Sequence, residues 1–173
     1  MITVICGTNR PNSNSMKVAQ NCAQMLQRSG ADTQILNLLD VPAGWIEQNS
    51  FSSSSPEMDA IIRQYFHKAN KIVLVVPEYN GSFPGILKYF IDGCTHGDWA
   101  DKKIALVGVA SGRSGNLRGL DHLTGIFHYL GSSVFWRKVY ISQVFNHLNS
   151  DGELTSEAAL KEIQLQIDGF LAY

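Results

Sequence analysis

The sequence predicts an α/β domain in which a five-stranded parallel sheet carries helices on both faces. Three observations predict it. Short, nearly continuous β-branched runs recur along the chain, stretches with apolar residues at helical spacing lie between them, and 173 residues suffice for one core but hardly two. Strands covered on both faces read as unbroken apolar runs rather than alternating ones. Each parallel return then needs a right-handed crossover, which an intervening helix supplies.

The first run, Ile2 to Cys6, stops at Gly7, and Val18, Cys22, Met25 and Leu26 then share one helical face. Thr33 to Leu38 is the second strand. Val41 to Ile46 and the serine-rich Ser50 to Ser55 read as loop, flexible over the serines. Ser55-Pro56-Glu57 opens the next helix with a capping hydroxyl, a proline at the first helical position and an acidic first turn. That helix turns Met58, Ile61, Ile62, Tyr65 and Ala69 inward. Lys71 to Val76 is the third strand, halted by Pro77, and Pro84 starts another helix. Lys103 to Ala110 is the fourth strand, followed by a helix bearing Leu120, Leu123, Phe127 and Leu130. Val134 to Ile141 completes the set, and a last helix, capped by Thr155 or Ser156, carries Leu160, Ile163, Ile167 and Phe170. Five such units match the order 2-1-3-4-5, in which ligands bind beyond the carboxyl ends of the strands where the chain reverses direction. The loops after strands one, three and four are the ones to read.

Composition removes several classes of function. With 45% hydrophobic and 17% charged residues the chain is not disordered, and 14 basic against 15 acidic residues leave no cationic excess for gripping nucleic acid. Cys6, Cys22 and Cys94 have neither a disulfide framework's pattern nor zinc-ligand spacing. His122 and His128 fall on different faces of a helix, and His67, His96 and His147 lie in separate segments, so no metal is expected. No run has the length of a signal peptide or a spanning helix, and a cytoplasmic protein without membrane or nucleic-acid partners is expected.

The first loop runs Gly7-Thr8-Asn9-Arg10-Pro11-Asn12-Ser13-Asn14-Ser15-Met16 into a helix. Hydroxyls, amides, free backbone N–H groups and the positive end of a helix dipole converge there, which suits a phosphate monoester as well as it suits a plain capped polar loop. Neither G-x-x-x-x-G-K-[ST] nor G-x-G-x-x-G is present. A phosphatase Cys-x5-Arg is absent too, since Asn12 stands six positions after Cys6. The second loop, Pro77-Glu78-Tyr79-Asn80-Gly81-Ser82-Phe83-Pro84, places an aromatic ring and polar groups around a turn at Gly81 and can lie along a flat heterocycle. The third, Ala110-Ser111-Gly112-Arg113-Ser114-Gly115-Asn116, carries two glycines, which permit close approach of a backbone.

Pro77-Glu78-Tyr79-Asn80-Gly81-Ser82, then Pro84-Gly85, Leu87-Lys88 and Ile91-Asp92, resembles the signature of the NADPH-dependent FMN reductase family, whose members include quinone, chromate and azo-compound reductases. Gly7-Thr8-Asn9-Arg10-Pro11-Asn12-Ser13 is similar to that family's Gly-Ser-x-Arg-x-x-Ser. Thr8 keeps the hydroxyl where Ser is usual; Tyr89 and Gly93 depart from the common Asn and Trp, which bears on the acceptor pocket and subunit contacts. The resemblance implies a flavodoxin-like fold over residues 1–173. It implies phosphate binding by Thr8, Arg10, Ser13, Ser15 and the backbone at Met16. Ring contacts would come from Pro77, Glu78, Tyr79, Asn80 and Gly81, with Ser111, Gly112, Arg113 and Gly115 at the flavin edge. Arg113 suits either the flavin's pyrimidine edge or the phosphates of the nicotinamide nucleotide, and Arg118 is a weaker candidate.

The resemblance further implies hydride transfer from NADPH or NADH to FMN and then to a small acceptor in ping-pong order. The cofactor carries that chemistry, so no indispensable catalytic side chain is expected. It also implies a homodimer or homotetramer, with Trp45, Ile46, Phe51 and Trp99 as candidate contacts. A flavodoxin-type electron carrier, or a flavin-binding module without turnover, is the alternative. The near-neutral charge disfavours a carrier, which docks through acidic surface.

Overall fold

The computed structural model describes residues 1–42 and 55–173. Trp45, Ile46, Phe51 and most of the serine-rich stretch lie outside the described residues. The elements in chain order are β1 (Ile2–Cys6), α1 (Asn14–Arg28), β2 (Thr33–Asn37), α2 (Pro56–Tyr65), β3 (Lys71–Pro77), α3 (Gly85–Gly93) and α4 (His96–Trp99). They continue with β4 (Lys103–Val109), α5 (Leu117–Tyr129), β5 (Ser133–Val134), β6 (Val139–Ile141) and α6 (Glu157–Ala172). Every strand pair is parallel and the order is β2-β1-β3-β4-β5, with β6 also on β4. The 2-1-3-4-5 prediction holds.

Alternate residues of the strands feed two cores. Val4, Cys6, Val73, Val75, Val107 and Val139 face α1 and α6, while Ile5, Leu74, Val76, Ile104 and Leu106 face α2, α3 and α5. The central strands are therefore buried on both sides, which is why they read as continuous apolar runs. The caps follow the sequence: Ser55 Oγ accepts from Met58 N, and Ser156, not Thr155, caps α6 through Ala159 N. Pro84 stands one residue before its helix, at the cap position.

The fifth strand differs from its prediction. Instead of one run from Val134 to Ile141, the edge breaks into β5 and β6 around Phe135–Lys138. The buried amide of Gln166 on α6 fills the break, donating to Leu106 O at 3.0 Å and Arg137 O at 2.7 Å. The Leu106 carbonyl is buried, so this donor matters most there. Phe135 turns inward against Gly169, where a Cβ would stand 2.8 Å from its ring.

Trp99 is also corrected. It sits in the short helix α4, closed by a Thr95–Asp98 capping box, and is wholly buried rather than exposed in a loop for a partner. Its ring meets Phe66 edge-on at 4.9 Å and Phe127 at 5.1 Å, forming the aromatic centre of the second core.

Candidate active site

Three connections leave the carboxyl ends of β1, β3 and β4 and meet above the sheet around a cleft of about 620 Å³. Arg10, Ser13, Ser15, Pro77, Glu78, Tyr79, Asn80 and Ser111 line it, all expected from sequence. Thr8, Met16, Gly81, Gly112 and Gly115 do not line the wall but belong to the turns and bonds that support it, and Arg113 is exposed outside the lining.

The first loop is held from beneath. Gly7 N donates to Val75 O at 2.8 Å, tying the loop to β3. Thr8 is fully buried, and its hydroxyl accepts from Arg10 N at 3.3 Å and lies 3.1 Å from the Tyr79 hydroxyl. One threonine thus joins the first loop to the second. Ser13 caps α1 by accepting from Met16 N at 3.1 Å. The Met16 N–H is therefore engaged within the cap, while Asn14 and Ser15 head a helix whose first N–H groups have no carbonyl four residues back. Arg10 stands exposed beside them.

Cys6 lies under this loop, its sulfur 3.8 Å from Ser13 Oγ. Burial pushes its thiol above the ordinary range, against the hydrogen bonds with Ser13 and the Thr8 carbonyl. A neutral buried thiol has no nucleophilic role at the phosphate end.

In the second loop Tyr79 N donates to Ser82 O at 2.9 Å and Ser82 N returns a bond to Tyr79 O at 3.1 Å. Between them Asn80 (φ 51°) and Gly81 (φ 80°) both occupy the left-handed region, the requirement of a type I′ turn. The Ser82 hydroxyl lies 2.9 Å from His122 Nδ1 on α5, which anchors the outer side of the turn.

Glu78 departs from the reading as a ring contact alone. Its carboxylate accepts from the Ser114 hydroxyl and, at 3.1 Å, from Asn116 N, so it clamps the third loop to the end of β3. Asn116 completes the clamp from the other side. Its buried amide donates to Val76 O and Pro77 O at 3.1 and 3.0 Å, and its own backbone is left-handed (φ 68°). The third loop crosses directly over β4, because a Cβ on Gly108 would stand 2.0 Å from Gly115 O. Gly115, at φ 58°, abuts Tyr140 where a Cβ would be 2.7 Å from another.

A fourth segment completes the wall and was absent from the sequence reading. After β6, Gln143 N donates to Gly112 O and Val144 N to Ala110 O, at 2.8 and 3.0 Å. Val144 and Phe145 thereby join the cleft lining, together with Pro11, Asn12, Asn14, Val109 and Ala110. The signal available in sequence was weak: an aromatic just past the last strand, with no motif around it.

Among the described residues no group of three His, Cys, Asp or Glu side chains is placed to hold a metal, and no helix is long and apolar enough to cross a membrane. The cleft brings together the cationic, hydroxyl-rich first loop and a wall made of Tyr79, the Asn80 turn and Ser111. Such a division suits a ligand with a phosphate at one end and a planar ring at the other.

Comparison with known proteins agrees. The chain is 25% identical over 177 aligned positions to a 2-hydroxy-1,4-benzoquinone reductase of Burkholderia sp, covering 99% of this chain and 94% of the relative. Its fold is similar to that of FerB, a flavoenzyme NAD(P)H:(acceptor) oxidoreductase from Paracoccus denitrificans, with a TM-score of 0.81, 22% identity and coverage of 99% and 95%. It is also similar to Megasphaera elsdenii flavodoxin, with a TM-score of 0.63, 14% identity and 99% of both chains covered. The sequence model of the NADPH-dependent FMN reductase family matches residues 1–146, which span every strand and all four segments of the cleft. The chain therefore belongs to the NADPH-dependent FMN reductase family and is an oxidoreductase of FMN and NADPH.

Proposed function

We propose that the protein, as one FMN-binding unit over residues 1–173, reduces a small organic acceptor at the expense of NADPH or NADH, in ping-pong order. The observation that carries this is the cleft itself, with cationic and hydroxyl donors at one end and a pinned aromatic turn at the other. Its volume falls within the range of pockets that enclose a cofactor of this size.

Arg10, Ser13, Ser15 and the first turn of α1 would hold the phosphate of FMN; Tyr79, Asn80 and Ser111 would lie along its ring system. When bound, FMN supplies hydride acceptance and the passage of two electrons to the next substrate. The chain's part is to orient the ring between loops that are already bonded to one another, and to leave one face open. No titratable side chain is assigned a proton transfer. The acceptor class favoured is a quinone, since the Burkholderia relative is named for one. We extend the reading to a cytoplasmic location, which three unpaired cysteines suit, and to a homo-oligomer.

The test is the visible spectrum of purified protein titrated with FMN and then with NADPH under argon. Saturable binding of one FMN per chain, bleaching with NADPH and recovery of colour on adding benzoquinone are expected. A chain that declines FMN, or holds it without bleaching, refutes the reductase reading; bleaching without turnover on small acceptors leaves an electron carrier.

A further inference from the structure

Phe145 is the large apolar side chain of the cleft that the three motif loops do not account for. It is 68% exposed, whereas its neighbours Val144, Val109 and Ala110 are buried to within a few per cent. Its position is built. The turn that presents it starts at Gln143, a non-glycine residue in the left-handed region (φ 48°), a conformation that costs on the order of 1 kcal/mol and persists where surrounding bonds enforce it.

Those bonds are present. Gln143 N and Val144 N donate to the third loop, Asn146 N returns to Gln143 O at 2.8 Å, and His147 Nε2 lies 3.0 Å from Ser142 O. Thr155 N donates to His147 O at 2.9 Å. Val144 anchors the turn in the core beneath, so the next side chain is turned out over the cleft. The turn holds an aromatic face toward solvent and fixes it to the loop that borders the proposed flavin edge.

The character of the wall indicates which ligand uses that face. The buried Ser13 and Ser15 and the half-buried Tyr79 ring, whose hydroxyl is engaged with Thr8, form the part of the cleft where a resident cofactor would be held. A ring that enters and leaves during turnover must instead meet a surface open to solvent beforehand. Stacking on an exposed aromatic removes apolar area of both partners from water and needs no charge or hydrogen bond. We propose that Phe145 is a specificity-determining residue, forming the stacking face for a planar aromatic acceptor of the quinone type. This rests on the FMN reductase reading above.

The experiment compares FMN-reconstituted wild type, Phe145→Ala and Phe145→Tyr with saturating NADPH and two acceptors: benzoquinone, which stacks, and ferricyanide, which does not. For Phe145→Ala the KM for benzoquinone should rise roughly tenfold, which is about 1.4 kcal/mol. The KM for ferricyanide should rise much less, so that the ratio of the two KM values changes by at least about fivefold. Phe145→Tyr should restore the quinone KM.

An unchanged quinone KM overturns the proposal. So does a ferricyanide KM that rises in step, an FMN Kd weakened as much as the quinone KM, or a changed elution volume in Phe145→Ala, which would make the residue a flavin or subunit contact. Failure here with normal wild-type turnover overturns the role of Phe145 alone. A wild type that binds no FMN overturns both.

Discussion

Replacing Gly108 by Ala tests whether the third loop is positioned by contact with β4. The added methyl would stand 2.0 Å from Gly115 O and 3.2 Å from Asn116 Cβ, so the loop must retreat by 1.0 Å merely to reach the 3.0 Å limit of close contacts. The strand cannot yield instead, because Val107 and Val109 are held by pairing to β3 on one side and β6 on the other. Asn116 N bonds Glu78 at 3.1 Å and its amide bonds Val76 O and Pro77 O at 3.1 and 3.0 Å. A shift of this size carries all three beyond hydrogen-bond range. Three bonds at about 0.5–1.5 kcal/mol each, partly recovered by water, give a loss of about 1–4 kcal/mol. For a chain of this length that lowers Tm by roughly 2–16 °C. The FMN Kd should rise at least about tenfold because the ring edge loses its register. Differential scanning fluorimetry and flavin fluorescence quenching measure the two. Gly125→Ala is the control: a Cβ there meets nothing within 4 Å, and in α5 alanine should leave FMN affinity unchanged. If Gly108→Ala melts and binds FMN like the wild type, the loop is free to shift and the clamp described here does not set the site.

Three further outcomes are expected. Arg10→Ala should weaken FMN about tenfold to a hundredfold and flatten the salt dependence of binding, read by titration at two ionic strengths; riboflavin, which has no phosphate, should be unaffected. Glu78→Ala should weaken FMN binding and shift the flavin's reduction potential, whereas Glu78→Gln, which retains an acceptor for Ser114 and Asn116, should recover most of the affinity; equal loss in both would mean that the charge and not the clamp matters. Trp99→Ala should destabilise by about 3–5 kcal/mol in urea without altering FMN Kd measured below the transition, since its ring packs among Phe66, Phe90 and Phe127, none of which lines the cleft; a melting point near wild type would contradict its burial.

The strands and helices were legible because burial on both faces imposes a pattern that survives in sequence: Ile72 to Val76 has no polar position to misplace. The break in the edge strand was not, since it depends on Gln166, a residue 32 positions after Val134 that replaces a strand bond with a side-chain amide. Trp99 was misread because a residue near Gly97 and Asp98 in a polar segment reads as loop, whereas a Thr95–Asp98 capping box folds that segment into one helical turn and drives the indole inward. Eight of the proposed cofactor-binding residues line the cleft, because the motif loops carry their own chemistry. The Asn80-Gly81 pair also states its turn type openly. Asn116 and Phe145 were missed for opposite reasons: one acts through backbone carbonyls of a distant strand, and the other has no polar group to mark it.

What unites these residues is that each loop of the rim is tied to a neighbour in addition to its own turn and to the sheet. Thr8 joins the first loop to Tyr79 of the second, Glu78 and Asn116 join the second to the third, and Gln143 and Val144 join the third to the segment bearing Phe145. A flexible cleft would have to order several loops each time it took up a cofactor, and that entropy would be subtracted from affinity. Here the ordering is done by folding. Because the bonds run in sequence from β1 around to β6, a perturbation at one link should displace the next: weakening the Glu78 clamp should alter the fourth segment's hold on Phe145 before it alters the Thr8–Tyr79 contact. Hydrogen exchange at Gln143 and Val144 in Glu78→Ala, faster than in wild type while Gly7 and Arg10 exchange as before, is the pattern that serial bracing requires. Uniform acceleration around the rim would mean that the loops are held by the sheet and not by one another.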